Sequence, residues 1–284
     1  MIFLRLLTVF TLIAVFSAQA NVGDAQRAYE AEDYLSAFNL FSEAAESGDA
    51  KAQFFLGECY FNGQGVPQDF SLAIKWYTES AEQQFMQAQE RLGNLYLIGR
   101  FVTRDAELGA MWFSRAAKHG NLDAALLAGG LYFEGKEVKK DVPKALDAYL
   151  LAAEAGNVDA QEMVGYIFFS GLLGESDFSQ ALIWYEKVAR SNRIYPQYAL
   201  GWMYQNGNGV KKDLKKSADF YEAAAKQGHV GASAAIGFMY ANGEGRDKDG
   251  MLAVEYFQKA ARSGERTVYK PLAWPYYELS LIHI

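Results

Sequence analysis

Cysteine is almost missing from this 284-residue chain, where Cys59 is the only one. No intramolecular disulfide can form, even in an oxidising compartment, so packing alone must hold the fold. Histidine is nearly as scarce, with three copies. None of His119, His229 and His283 has a metal-ligand neighbour at useful spacing, and His119 and His229 read as solvent-exposed turn residues. Positive charge is in deficit, since 27 Lys and Arg face 34 Asp and Glu for a net charge of −7. A phosphate-binding surface needs the opposite sign, which argues against nucleic acid as a partner. The chain also lacks a Gly-x-Ser-x-Gly elbow and a His-Glu-x-x-His motif. Gly63-Gln64-Gly65, Gly207-Asn208-Gly209 and Gly243-Glu244-Gly245 have neither the third glycine nor the preceding strand of a dinucleotide site, and read as turns. No catalytic residue, cofactor or metal is expected, and Cys59 falls at an apolar helix position that suits a core residue.

Long apolar runs are absent beyond the N-terminus. There, Arg5 precedes the run Leu6–Phe16 and the small-x-small triplet Ala18-Gln19-Ala20. The pattern is that of a secretory signal peptide over residues 1–20, cut after Ala20, and the run is too short to span a bilayer comfortably. The expected address is periplasmic or secreted, with no membrane span after cleavage. The lack of an Asn-x-Ser/Thr acceptor fits a bacterial periplasm.

What the chain has in abundance is order. Glycine stands at 57, 93, 129, 165, 201 and 237, a period of 36 residues without insertion or deletion. Such a period marks a stacked-repeat array, in which each unit buries its apolar face only against neighbours. With that glycine as position zero, alanine dominates at −5, an apolar residue stands at −1 and an aromatic ring at +3. Steps of four place these on one face of a first helix. Glycine inside a helix costs about 1 kcal/mol against alanine, so its recurrence implies close approach of a neighbouring helix. A second glycine at +6 (Gly63, Gly99, Gly135, Gly171, Gly207, Gly243) suits a left-handed helix end. Asp at +12 (Asp69, Asp105, Asp141, Asp177, Asp213, Asp249) suits an N-cap. These carboxylates would stand about 8–10 Å apart in adjacent copies, too far to share an ion. A second helix follows, with a small residue at +16, an aromatic at +20, alanine at +24 and, in most copies, glycine at +27.

Segments such as Ala52-Gln53-Phe54-Phe55-Leu56-Gly57-Glu58-Cys59-Tyr60 with Gly63-Gln64-Gly65-Val66-Pro67-Gln68-Asp69 resemble the Sel-one-like repeat family, relatives of tetratricopeptide repeats. The resemblance implies an all-α fold, a right-handed superhelical α-solenoid of helix–turn–helix repeats. Six full copies cover residues 49–264 (49–84, 85–120, 121–156, 157–192, 193–228 and 229–264). Residues 21–48 look like a tetratricopeptide-type helix pair acting as a cap. Residues 265–278 open a seventh copy, with Leu272, Ala273 and Tyr276 at −1, 0 and +3. Residues 279–284 read as the in-frame translation of a sequencing adapter.

One offset varies in an informative way. At +1 the chain carries Glu58, Asn94 and Gly130, then Tyr166, Trp202, Phe238 and Trp274. In related solenoids the first helices line the concave surface, so Tyr166, Trp202, Phe238 and Trp274, with Tyr198 one turn before Trp202, form a candidate partner-binding ladder. Exposed aromatics are favoured in binding hot spots. The alternative is that these rings pack between repeats. The family resemblance implies a non-catalytic interaction scaffold of the bacterial cell envelope, binding a protein or peptide; the alternative that the aromatic ladder suggests is a glycan-binding scaffold in polysaccharide export. Some cysteine-rich family members bind or hydrolyse β-lactams, but those pair cysteines within each repeat and this chain has one.

Overall fold

The computed structural model describes residues 22–262, which contain fourteen α-helices and no strand. The expected signal peptide, the start of a seventh copy and residues 279–284 lie outside the described residues. Helix α1 covers residues 22–30 and α2 covers Tyr34–Glu46. The first helices of the six copies are α3 (Ala50–Asn62), α5 (Met86–Ile98), α7 (Leu122–Glu134), α9 (Val158–Ser170), α11 (Ile194–Asn206) and α13 (Val230–Asn242). The second helices are α4 (Phe70–Glu82), α6 (Ala106–Lys118), α8 (Val142–Glu154), α10 (Phe178–Val188), α12 (Leu214–Lys226) and α14 (Gly250–Arg262). The chain divides into two compact units between Asp141 and Val142.

Nearly every helix is 13 residues long, too short to be stable alone in water, so termination and packing must be well specified. Termination follows the sequence. The +6 glycines sit at φ 67–76°, where a Cβ would be strained. Asp69, Asp105, Asp177, Asp213 and Asp249 each accept a hydrogen bond from the N–H three residues on, at 2.9–3.0 Å. In all six copies the N–H of this Asp also donates to the carbonyl of the +3 aromatic, as in Asp69 to Tyr60 at 3.0 Å. One residue thus caps the second helix and closes the loop that leads into it.

Packing explains the helix-interior glycines. A Cβ built on Gly57 would meet the Tyr77 ring at 2.7 Å, on Gly93 the Phe113 ring at 2.8 Å and on Gly165 the Tyr185 ring at 2.6 Å. Gly201 faces Tyr221 at 2.6 Å and Gly237 faces Phe257 at 2.8 Å in the same way. The close approach is therefore a ring-on-backbone contact between the +20 aromatic of the second helix and the glycine of the first helix of the same copy. Tyr77, Phe113, Tyr185 and Tyr221 are completely or almost completely buried. Burying each such ring is worth about 1.5–3 kcal/mol.

A recurrent polar clamp joins consecutive copies. The side-chain amides of Gln53, Gln89, Gln161 and Gln197, one position after the −5 residue, donate to the carbonyls of Ala45, Ala81, Ala153 and Ala189. Each of these carbonyls lies near the C-terminal end of the preceding second helix, where no further turn supplies the usual donor four residues on. Gln83 and Gln227 extend the clamp by donating to Gln53 and Gln197 at 2.7 and 2.6 Å.

Copies that depart from the glycine pattern keep its backbone. Gln84 and Asn192 occupy the +27 position at φ 69° and 55°, where Gly120, Gly156 and Gly228 stand at 92–97°. In the fourth copy the second helix also stops early, at Val188, and Ala189–Ser191 continues as a 3-10 turn. Gln84 is exposed, so Gln84→Gly relieves left-handed strain without losing a buried contact. The variant is expected to be more stable by about 0.5–1 kcal/mol in chemical denaturation. An unchanged or lower midpoint would contradict this account.

Candidate functional site

Most recurring residues are consumed by caps, turns and packing, so any partner surface must come from side chains these tasks leave over. Cys59 is fully buried, and burial followed by the nearby Glu58 charge pushes its thiol up to about 12. A thiol so far from ionisation is a core residue and no nucleophile. Glu58, the first +1 residue, is also engaged. Its Oε1 accepts from the Tyr77 hydroxyl at 2.8 Å and from Arg91 Nε at 2.9 Å. Burial and the adjacent carboxylate hold the Tyr77 phenol far above its ordinary range, which keeps it a donor.

The sequence-expected aromatic ladder is distributed unevenly. Tyr166 is half-buried, with its ring centroid 5.9 Å from that of Tyr195. Tyr198 is half-buried and stacks on the imidazole of His229 at 4.2 Å and an interplanar angle of 22°. Trp202 is half-buried between Phe169 and Phe178, at 5.3 and 5.6 Å. Phe238 alone of the described four is open, at 49% exposure, with one edge against Phe257 at 5.0 Å. Trp274 lies outside the described residues.

His229 is a correction to the sequence reading. His119 is exposed at the C-cap of α6, as expected. His229 is not a solvent-exposed turn residue: it is the N-cap of α13, and its Nδ1 accepts from the Ala232 N–H at 3.0 Å. Burial against Tyr198 pushes its pKa down to about 4, since a charged ring would lose hydration there. The other first helices of the repeat copies begin at Asn, Asp or a residue without a side-chain cap, so the position gave no signal for a capping imidazole.

In the N-terminal unit the first-helix face carries a cleft of about 590 Å³ between α5 and α7. Its walls are Leu97, Ile98, Leu126, Leu127 and Leu131, with Gly130 at the +1 position. Ile98 and Leu127 are 66% and 44% exposed. Arg104 and Glu137 form an ion pair at the rim, and Lys136 pairs with Glu134 at 2.8 Å. Sequence reasoning placed Gly130 at the point where the +1 ladder lacks a ring and did not recognise an opening there.

The Sel1 repeat pattern matches residues 17–49, 50–85, 87–121, 122–157, 158–192, 197–229 and 231–265, seven copies in all. The first of these includes the segment expected as a tetratricopeptide-like cap. No curated protein is matched by the chain. Among solved structures, a protective antigen of uropathogenic Escherichia coli strains with an SLR fold is 34% identical over 87% of this chain, with a TM-score of 0.55. The chain spans about half of that antigen's length, 54%. A Sel1 repeat protein from Oxalobacter formigenes is 30% identical over 85% of this chain and 99% of its own length, with a TM-score of 0.48. Sel1 repeat proteins are generally non-catalytic scaffolds for protein interaction. Helical hairpins that recur every 36 residues, each with a left-handed glycine at the end of its first helix and matched throughout by one repeat pattern, make this chain an α-solenoid that belongs to the Sel1 repeat family.

Proposed function

We propose that the protein is a scaffold of the bacterial cell envelope that binds a protein segment on the face formed by its first helices. The observation that supports this most is the open ring of Phe238 on α13, 49% exposed and held by one edge against Phe257. Exposed aromatic side chains are favoured in binding hot spots. The envelope address rests on Arg5, the apolar run after it and the Ala18-Gln19-Ala20 triplet. Among the described residues no helix is long and apolar enough to cross a membrane.

A photo-crosslinking residue at position 238, installed in the full-length protein in cells, tests the reading. It is expected to trap a discrete protein from the envelope fraction, whereas the same residue at Leu35 on α2, a second helix, traps none. Phe238→Ala should weaken binding of the trapped partner by about tenfold, the usual scale of a modest hot spot. Equal labelling at both positions, or none at 238, would remove support for the first-helix face. N-terminal sequencing of the purified protein should begin at Asn21.

A further inference from the structure

The glutamine clamp is complete in the first and fifth copies and unfinished in the second. Gln53, Gln89 and Gln197 are all buried, and each donates its amide near the end of the preceding second helix. The side-chain oxygens of Gln53 and Gln197 accept from Gln83 and Gln227, at 2.7 and 2.6 Å. Gln89 Oε1 is buried and has no hydrogen-bond partner among the described residues. An acceptor left in this way is costly, because it has given up water without a replacement donor.

Gln83 and Gln227 stand at +26 of their copies, and the +26 residue of the second copy is His119. The three residues are the C-caps of α4, α12 and α6, with φ/ψ of −82/14°, −89/2° and −97/13°. Their Cβ atoms therefore leave the backbone in the same direction. Histidine Nε2 lies as many bonds from Cα as the glutamine amide nitrogen, so the imidazole has the reach that Gln83 and Gln227 use. In the structure His119 is exposed.

Helix α6 packs against α5 and α7, and α5 packs against α4. The ionisable groups at this end of the four helices are Glu82 on α4, Glu90 and Arg91 on α5, Arg115 and Lys118 on α6, and Asp123 on α7. Glu90 accepts from Asn121 Nδ2 at 2.7 Å, Arg91 pairs with Glu58 at 2.7 Å, and Arg115 lies over Trp112. A neutral imidazole gains little by turning inward, since water already satisfies its N–H. An imidazolium gains more, because its hydrogen bond to a neutral oxygen is charge-assisted and about twice as strong while its second N–H stays in water.

We propose that protonation of His119 turns its ring onto Gln89 Oε1 and completes the clamp, so that the joint of α4, α5 and α6 tightens in acid. The linkage runs opposite to that of a histidine buried in its neutral form, such as His229. The bond contributes in full below the ordinary histidine value of about 6.5 and is lost as pH rises above it. The proposal is independent of the first-helix-face reading and survives its failure.

The test is urea denaturation of the full chain at about pH 5 and pH 8, with the glutamine side-chain amides followed by NMR. His119→Ala should raise the unfolding equilibrium constant about fivefold at the lower pH and less than about twofold at the higher. His119→Gln, which installs the residue of the first and fifth copies, should be more stable than His119→Ala by a similar factor at both. Gln89→Met removes the acceptor, and in that background the effect of His119→Ala should no longer depend on pH. In the parent, the Gln89 side-chain amide resonances should shift between the two conditions by a displacement absent from His119→Ala. Carboxylates and His229 cancel in these comparisons, because every variant keeps them. An effect of His119→Ala that does not change with pH overturns the proposal, as does a Gln89 resonance indifferent to His119. A His119→Gln variant no more stable than His119→Ala also overturns it, since Gln89 Oε1 would then already have its donor.

Discussion

Tyr221→Ala is expected to lower stability by about 3–5 kcal/mol, the range for deleting a large buried ring. Tyr221 is 1% exposed, packs on the bare backbone of Gly201 and donates its hydroxyl to Gln205 Oε1 at 2.9 Å. No side chain at position 201 can relax into the space, so the cavity stays open. The partner substitution inverts a usual rule. Gly→Ala inside a helix normally gains about 1 kcal/mol. Gly201→Ala should instead lose about 1–3 kcal/mol, because its Cβ would stand 2.6 Å from Tyr221 Cδ1. In the double variant the added methyl has no ring to strike, so Gly201→Ala should improve on Tyr221→Ala alone. The two substitutions are thus coupled by about 1–3 kcal/mol, readable in a double-mutant cycle by urea denaturation. Additive single effects, or a Gly201→Ala variant that melts higher than the parent, would refute the ring-on-glycine account. Each copy contacts only its neighbours, so loss of this contact should also split one cooperative transition into two.

Acidification should destabilise the start of α13 through His229. Its folded pKa of about 4 lies below the ordinary histidine value of 6.5, so the unfolded chain takes up the proton first. The stabilisation is complete above pH 6.5 and is lost progressively as pH falls toward 4, reaching about 3 kcal/mol at most. The cause is structural as well as electrostatic. Protonation converts Nδ1 from the acceptor of the Ala232 N–H into a donor, and it places a cation at the positive end of a helix. The Tyr198 ring is stacked on the imidazole at 4.2 Å. His229→Asn keeps a capping oxygen and removes the titration. Its stability difference from the parent should therefore shift in favour of the variant by about 2–3 kcal/mol between roughly pH 7 and pH 4.5. A difference that does not change with pH would mean that the imidazole is not held neutral. Carboxylates that titrate over the same range cancel in this comparison because both proteins carry them.

The architecture was legible because its determinants act over a few residues. A glycine at +6 adopts φ near 70° whatever surrounds it, and an aspartate at +12 finds the N–H three residues on without help from the rest of the chain. The spacing of 36 residues made these local facts additive. The Gln clamp was equally periodic in the sequence, at 53, 89, 161 and 197, yet its meaning needed the facing carbonyls to be in view. The glycine at position zero announced a close approach without saying that the approaching group was an aromatic ring twenty residues later.

The candidate site followed a different logic. Residues at +1 share a register, but their exposure depends on side chains in the preceding and following copies. Phe169 and Phe178 enclose Trp202, and Tyr195 lies against Tyr166. Phe238 stays half open, and between α5 and α7 the combination of Gly130 with Leu97 leaves a cleft. The amino-acid sequence alone determined the repeat, its caps, its turns and the packed fate of Cys59, since each depends on local conformation or on the helical period. Only the tertiary structure decided which aromatic rings are covered and where the surface opens, because that is a question of volume shared between residues of neighbouring copies, far apart along the chain.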